Sequence, residues 1–428
     1  MQKLPGQPGM PGPYALRWNL SQPLPRLRLN LDFMPSPSPE NPGLLIRDPY
    51  RFSDAMLILP PVLVECLQCF DGRQTELDLR AALVRITNTL EVGEIMQHLV
   101  ETLSHAGFLE DENFARMEEE RRREFAEKAV RDPAHAGGAY PAQADELRQT
   151  MSRYMAAESG EAATPDGDVF AIAAPHVSPE GGWRSYRAAY RKLKPEHRDR
   201  TFVVLATSHY GEPGRFGLTR KRFRTPLGEA ETDQRLADWL AARGGSAVEM
   251  EDYCHSFEHT VELELIFLQH VLAPDVRILP VLCGPFSRGL PDGGKPEDDD
   301  QVKRFFDALG ELRDREGDRL FWILGVDMAH MGARYHDQFT AVAGQGVMSE
   351  VGARDEQRIA RIAASDAAGF WDLVRENHDD LKWCGSSPFY TFLKAAPKAR
   401  GELLRYEQWN IDGRSVVSFA GMAFSTVK

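Results

Sequence analysis

Apolar residues change their rhythm along this chain. From His135 to the end, short β-rich runs alternate with longer amphipathic stretches. The runs are FAIAAP (170–175), TFVVLATS (201–208), RILPVLCG (277–284), RLFWILGVD (319–327) and SVVSFAGMAF (415–424). Strands that are apolar at nearly every position are covered on both faces, and the amphipathic stretches between them supply the covering helices. The pattern predicts an α/β domain over 134–428 built on one large sheet.

Upstream the rhythm is helical. PPVLVECLQCF (60–70) opens on two prolines and carries apolar residues at helical spacing. Thr75 caps a second helix with Leu77, Leu79 and Leu83, and a third runs from about Val92 to His105 and stops at Gly107. Phe108-Leu109 begins a strand with an exposed edge. Residues 44–112 therefore predict a small winged-helix-like domain. Residues 113–133 are densely charged with mixed sign and predict a solvated linker helix. Residues 1–42 hold ten of the 28 prolines. Missing donors and fixed φ angles predict a disordered tail over 1–43.

A length of 428 residues fits two or three domains, and 42% hydrophobic with 27% charged residues excludes a chain disordered throughout. The net charge of −13 argues against nucleic acid and anionic membranes as partners. From Ile86 to Ala106 there is no Lys or Arg, while Glu91, Glu94 and Glu101 are present, so the third helix is unsuited to phosphate contact. The first residues lack the apolar run of a signal peptide, and Ala55 to Leu67 is broken by Pro60 and Pro61. Five scattered cysteines make no disulfide framework. These features predict a cytoplasmic protein with reduced thiols.

Polar residues at the ends of the apolar runs carry the chemistry. His176 follows FAIAAP, His209 follows VVLATS, and Asp327 and His330 follow FWILGV. In α/β sheets the ligand crevice lies beyond the carboxyl ends of the strands. One histidine there is ordinarily a hydrogen-bonded bystander. Two in equivalent positions, with a third cluster elsewhere, are a candidate site. The third cluster is CHSFEHTVELELIFLQH (254–270), where the spacing predicts His255 and His259 on one helix face. With His176 and His209 these would form an imidazole set suited to Fe(II), Zn or another divalent transition metal. Cys66 and Cys69 form a lone CxxC within an apolar helical face and read as packing. Cys254 adjoins the histidine cluster, Cys283 lies in a strand, and Cys384, before a Gly-Ser-Ser turn, is expected at a pocket wall. No nucleophile signature surrounds any of them. TPLGEAETD (225–233) reads as a turn leading into a helix. No GxxxxGK[ST] or strand-following GxGxxG is present, which argues against a nucleotide-dependent enzyme.

Taken in order, GAYPAQADEL at 138, APH at 174, SHY at 208, TPLGEAETD at 225, SFEHTVELELIFLQ at 256, ILPVLCG at 278, GVDMAH at 325 and CGSSPF at 384 resemble the Memo family. More narrowly they are similar to the bacterial proteins called AmmeMemoRadiSam system protein B. The resemblance spans almost the whole large domain. It implies the fold of class III extradiol dioxygenases, which use non-haem Fe(II), a metal held by His176, His209 and His259, and a radical SAM enzyme as partner. It implies acid/base roles for His259, Asp327 and His330. Animal members place a cysteine where this chain has Ala329, which leaves His259, His255, Asp327 and His330 as alternatives for the third ligand. The loop after His176, VSPEGGWRSY, also departs from the family's Gly-Tyr-rich segment. DGRQTELDLRAAL followed by a helix and AGFLED is similar to PqqD-like peptide-recognition domains, which implies a peptide or protein partner for the small domain.

The expected function is a metal-dependent redox protein of the Memo type, a dioxygenase- or oxidase-like enzyme acting on a small molecule. The alternatives are a non-catalytic metal- or peptide-binding adaptor and a metal-dependent hydrolase with a carboxylate base.

Overall fold

The computed structural model describes residues 22–156, 168–287 and 294–426. The chain divides into two compact units, Met1–Arg123 and Glu124–Lys428.

In the first unit, β1 (Asp32–Pro35), β2 (Leu44–Arg47) and β3 (Met56–Leu59) form an antiparallel sheet in that order. A 3-10 helix over Pro61–Cys69 follows, then α1 (Glu76–Thr87), α2 (Gly93–His105) and α3 (Glu112–Glu127). Ile46, Leu59, Leu79, Leu83, Leu103 and Phe108 make its core.

Residues 22–43 correct the expected tail. Leu24 and Leu31 are buried. The backbone N–H groups of Leu24, Leu27 and Arg28 donate to Gln74, Phe70 and Phe108. Pro23 and Pro25 lack donors, but the residues between and after them do not, so a proline-rich stretch still sews itself into the unit. The same segment occupies the edge expected to be open at Phe108: Glu110 N–H also donates to the Arg26 carbonyl. The Arg28 guanidinium is buried against Asp48 at 3.0 and 3.1 Å and the Gly107 carbonyl at 2.8 Å. The remainder of the predicted tail, 1–21, lies outside the described residues.

The expected linker is not wholly solvated either. Phe125 of α3 is buried, and β4 (Val130–Arg131) pairs into the large sheet.

The second unit is a mixed sheet covered by helices. After β4 come α4 (Ala144–Met155), β5 (Val169–Ala174), α5 (Pro179–Tyr190), β6 (Thr201–Thr207), β7 (Phe216–Leu218), β8 (Arg222–Thr225) and β9 (Gly228–Thr232). Then follow α6 (Gln234–Gly244), β10 (Val248–Met250), α7 (Thr260–Val271), β11 (Arg277–Cys283), α8 (Asp300–Glu316), β12 (Leu320–Gly325) and β13 (His330–Gly332). The chain closes with α9 (Val347–Ala363), α10 (Ala367–Arg375), α11 (Ser386–Ala395), β14 (Ala399–Asp412) and β15 (Ser415–Thr426).

The strand order is β13-β15-β5-β12-β6-β11-β9-β8-β4, with β14 on β15 and β7 between β10 and β11. β5, β12, β6 and β11 are mutually parallel, and β15 joins β5 antiparallel. Ala171, Ala173, Val203, Leu205, Trp322 and Leu324 pack into one core with residues of α6, α8 and α11. The alternating residues Ile172, Val204 and Ile323 are equally buried, so the continuous apolar runs reflect burial of both faces. TPLGEAETD is a β8–β9 hairpin before it becomes a helix start: Asp233 caps α6 by accepting from Leu236 N–H at 3.1 Å.

Candidate metal centre

Three neighbouring parallel strands deliver the site. His176, Asp327 and His209 each lie two residues past the last residue of β5, β12 and β6. Gly325 is level with Ala174 on one side and Ala206 on the other, so the three residues leave the sheet at the same end, His209 one residue further along than His176 and Asp327. His259 reaches the same place from the N-cap position of α7.

The rings of His176, His209 and His259 converge. Their centroids lie 5.0, 5.4 and 4.9 Å apart, and one ligand atom from each lies within 4.8 Å of the others. Each Nδ1 is engaged: His176 Nδ1 with the Gly325 carbonyl at 3.0 Å, His209 Nδ1 with Glu258 at 3.2 Å, His259 Nδ1 with Glu258 at 3.0 Å. An acceptor at Nδ1 fixes that nitrogen as the protonated one and leaves Nε2 with a lone pair, the pattern of metal-ligating histidines. The carboxylate of Glu258 also accepts the backbone N–H groups of His209 and His259, both at 2.8 Å. His209 and His259 keep 28% and 31% of their side chains accessible, so the pocket is open on that side.

Cys384 completes the cluster. Its Sγ lies 3.3 Å from His176 Nε2 and 3.8 Å from the Asp327 carbonyl. The sequence places Cys384 at a pocket wall, and Ala329 stands where animal members of the resembled family carry a cysteine. Ala329 is buried, with its N–H bonded to Ser418 Oγ. The thiol comes instead from the turn before α11. Its signal was a cysteine directly preceding a Gly-Ser-Ser helix start, unreadable until the sheet sets that turn beside His176.

Asp327 is held as a framework group. Its Oδ1 accepts the backbone N–H groups of His176 and Val177 at 3.0 and 3.3 Å, and Oδ2 lies 3.5 Å from His176 Nε2. His330 turns Nδ1 to the carbonyls of Met328 and Lys382 at 2.9 and 3.1 Å, under the Tyr335 ring at 4.9 Å.

His255 departs from expectation. It sits in a 3-10 turn over Tyr253–Ser256, not on α7, and its Nε2 meets the Gly217 carbonyl at 3.1 Å. The turn before the α7 cap breaks the helical spacing that would have paired it with His259. Glu262, one turn beyond Glu258, belongs to a separate buried cluster with Arg131, Tyr140 and the N–H groups of Ala134 and His135. His135 meets the ring of His259 edge-on at 5.6 Å.

The electrostatics are strongly coupled. Burial would push the Cys384 thiol up, but His176 and His330 outweigh it and hold it well below the ordinary range. Burial pulls His176 down, yet Asp327 and Cys384 raise it to about 9. His209 also rises against its burial, through Glu258 and Cys384. Desolvation, opposed by Glu258 and reinforced by His209 and His176, takes His259 down to about 4. Their mutual influence favours the thiolate form of Cys384 and the charged form of His176, while His259 is pushed toward its neutral form.

The site lies at the carboxyl ends of parallel strands in an α/β domain, the usual place for a ligand crevice in such sheets. Residues 131–423 match the model of the Memo-like protein family, and the chain belongs to the Memo family. The large domain accordingly has the dioxygenase-like fold. The chain is 24% identical over 393 residues to a MEMO1 family protein of Aquifex aeolicus, covering 90% of this chain and 97% of that one. It is 30% identical over 308 residues to one of Thermococcus kodakarensis, covering 69% of this chain and 99% of the relative. Among the described residues, no helix is long and apolar enough to cross a membrane.

Proposed function

We propose that this Memo family protein binds one divalent transition metal ion, iron(II) foremost, through His176, His209 and His259, and uses it in redox chemistry on a small molecule. The observation that carries the reading is the set of three imidazoles, each with Nδ1 engaged and all converging on one point. The donor chemistry fits: imidazole suits iron, zinc and copper, and the adjacent Cys384 sulfur adds a soft donor. An ion there supplies Lewis acidity and open positions for a substrate and an oxidant. The chain's own groups do the rest. Glu258 orients two imidazoles, Asp327 fixes the backbone at His176, and His330, coupled electrostatically to Cys384 and Asp327, is available to move a proton. Asp327 is read as a framework residue because its Oδ1 is taken by two backbone donors.

The test is anaerobic Fe(II) titration of metal-stripped protein, followed by oxygen-consumption assays on catechols. His176→Ala and His209→Ala are expected to abolish binding, and His259→Ala to weaken it. Unchanged binding in the first two would favour a non-catalytic adaptor. A His259→Ala protein that binds normally but is inactive would make His259 an acid/base.

The first unit is proposed to recognise a peptide or protein partner, a radical SAM enzyme being the one the family resemblance suggests. A cleft of about 500 Å³ whose lining includes four acidic residues, Glu76, Glu101, Asp111 and Glu112, against Arg116 and His105, supports a basic partner over nucleic acid. Tight, salt-sensitive binding of duplex DNA by the full chain would contradict this.

A further inference from the structure

Asp355 of α9 is fully buried, and no site role has been assigned to it. Its Oδ1 accepts from Trp383 Nε1 at 2.7 Å, and its Oδ2 accepts from Ser418 Oγ at 2.6 Å and Tyr406 OH at 2.8 Å. The directions of these bonds are determined. Ser418 Oγ already accepts the Ala329 N–H at 2.8 Å, so its own hydrogen is free for Asp355. Tyr406 OH receives Gln408 Nε2 at 3.0 Å, so its hydrogen also points to Asp355. Trp383 Nε1 can only donate. Three donors therefore aim at one carboxyl group, which has to be an acceptor at every lone pair used.

Two of the three lead into the site. Trp383 precedes Cys384. Ser418 holds the Asp327–His330 loop through Ala329, with further backbone bonds from Met328 N–H to the Ser418 carbonyl and from Ser418 N–H to that of Ala329. Gly385 N–H donates to the Asp327 carbonyl, joining the two loops directly. The approach to Cys384 is strained: Asn377, His378, Asp379 and Lys382 all have left-handed φ angles near +55°. Residues in that region persist only where the surroundings over-determine them.

We infer that Asp355 is a positioning residue for the site: a buried carboxyl group that ties the Cys384 turn to the Asp327–His330 loop through Trp383 and Ser418. The inference rests on the reading of Cys384 and the histidines as one centre, and it touches neither substrate nor ion.

The experiment compares wild type with Asp355→Asn, nearly the same shape but with an amide that must oppose at least one donor. Metal-stripped proteins are titrated with Co(II), watching the cobalt absorption bands, and alkylation of Cys384 by iodoacetamide is timed by mass spectrometry. Thermal melts accompany both. Co(II) affinity is expected to fall about tenfold or more, the cobalt bands to shift, and the Cys384 alkylation rate to change severalfold in protein that is still folded. Tyr406→Phe removes the tether that reaches neither loop; it should lower the melting temperature and leave the Cys384 rate at the wild-type value. A lower melting temperature in Asp355→Asn with unchanged Co(II) bands, affinity and alkylation rate would make Asp355 merely structural and overturn the inference. If wild type itself binds no Co(II), the metal reading fails, while the alkylation comparison still decides the role of Asp355. If Asp355→Asn does not fold, Trp383→Phe takes its place, and a wild-type alkylation rate there sinks the proposal.

Discussion

Replacing Glu258 by glutamine is the sharpest single perturbation of the centre, because it keeps the shape and removes one feature. The carboxylate accepts two backbone N–H groups at 2.8 Å that have nowhere else to turn, and it faces both Nδ1 atoms at 3.0 and 3.2 Å. A glutamine offers one oxygen and one NH₂ group. Whichever way it is placed, the NH₂ group opposes a backbone donor, leaving a buried donor unsatisfied at a cost of about 1–3 kcal/mol. The imidazoles also lose an anionic acceptor, and such losses behind a metal ligand typically reduce affinity about 10–100-fold. Chemical denaturation of the metal-free protein reads the first quantity, and competition against a chelator reads the second. If Glu258→Gln matched wild type in both, the imidazoles would not depend on Glu258 for orientation, and the case for a pre-organised centre would collapse.

Other outcomes follow from the same contacts. Glu262 sits below its usual value near 4.5, because Arg131 and Tyr140 outweigh its burial. A depressed folded value stabilises above the unfolded one and fades as pH falls through the folded one, so the stability gap between wild type and Glu262→Gln, about 3–5 kcal/mol at neutral pH, should narrow in acid titrations. His255→Ala should destabilise the fold, by losing its bond to the Gly217 carbonyl, while metal affinity stays at the wild-type value; a loss of affinity would put His255 back among the ligands. Gly385→Ala would set a Cβ 2.5 Å from the Asp327 carbonyl oxygen, so it should disturb both site loops, and crystals or melts indistinguishable from wild type would contradict that. Arg28→Ala removes the charge partner of buried Asp48, paired with it at 3.0 Å, and leaves that carboxylate only the Tyr50 and Ser53 N–H groups; it should destabilise the first unit selectively by about 3 kcal/mol, visible as a separate early transition in calorimetry.

What the sequence disclosed follows a physical rule. The strands of the parallel core were readable because burial on both faces writes an unbroken apolar run, and His176, His209 and Asp327 were readable because each directly follows such a run. Groups whose meaning depends on a distant partner were not. Cys384 becomes a site thiol only when β5 sets His176 3.3 Å away. Asp355 lies in EVGARDEQRIARIA, where an acidic residue reads as solvent-facing, and only Trp383, Tyr406 and Ser418 reveal its burial. The pairing of residues 22–28 failed for a different reason: proline content reports which donors are missing, not whether the donors that remain find acceptors. The spacing of His255 and His259 misled because four residues place two side chains together only within one continuous helix, and this segment changes from a 3-10 turn to an α-helix between them.

The same division explains how the centre is built. Side chains on adjacent parallel strands inherit their spacing from the backbone ladder and need little else to hold them. His259 and Cys384 stand on helix starts outside that ladder, so their positions have to be set by other contacts. In each case a buried carboxylate gathers the donors: Glu258 for the two imidazoles, Asp355 for the two loops. Neither carboxyl group is placed as a ligand, and each is surrounded by groups that donate to it. Loss of a strand-borne ligand should therefore remove binding outright, whereas loss of either carboxylate should leave a weaker, less ordered centre in a folded protein. That graded pattern is what distinguishes a pre-organised metal site from three histidines that merely lie close together.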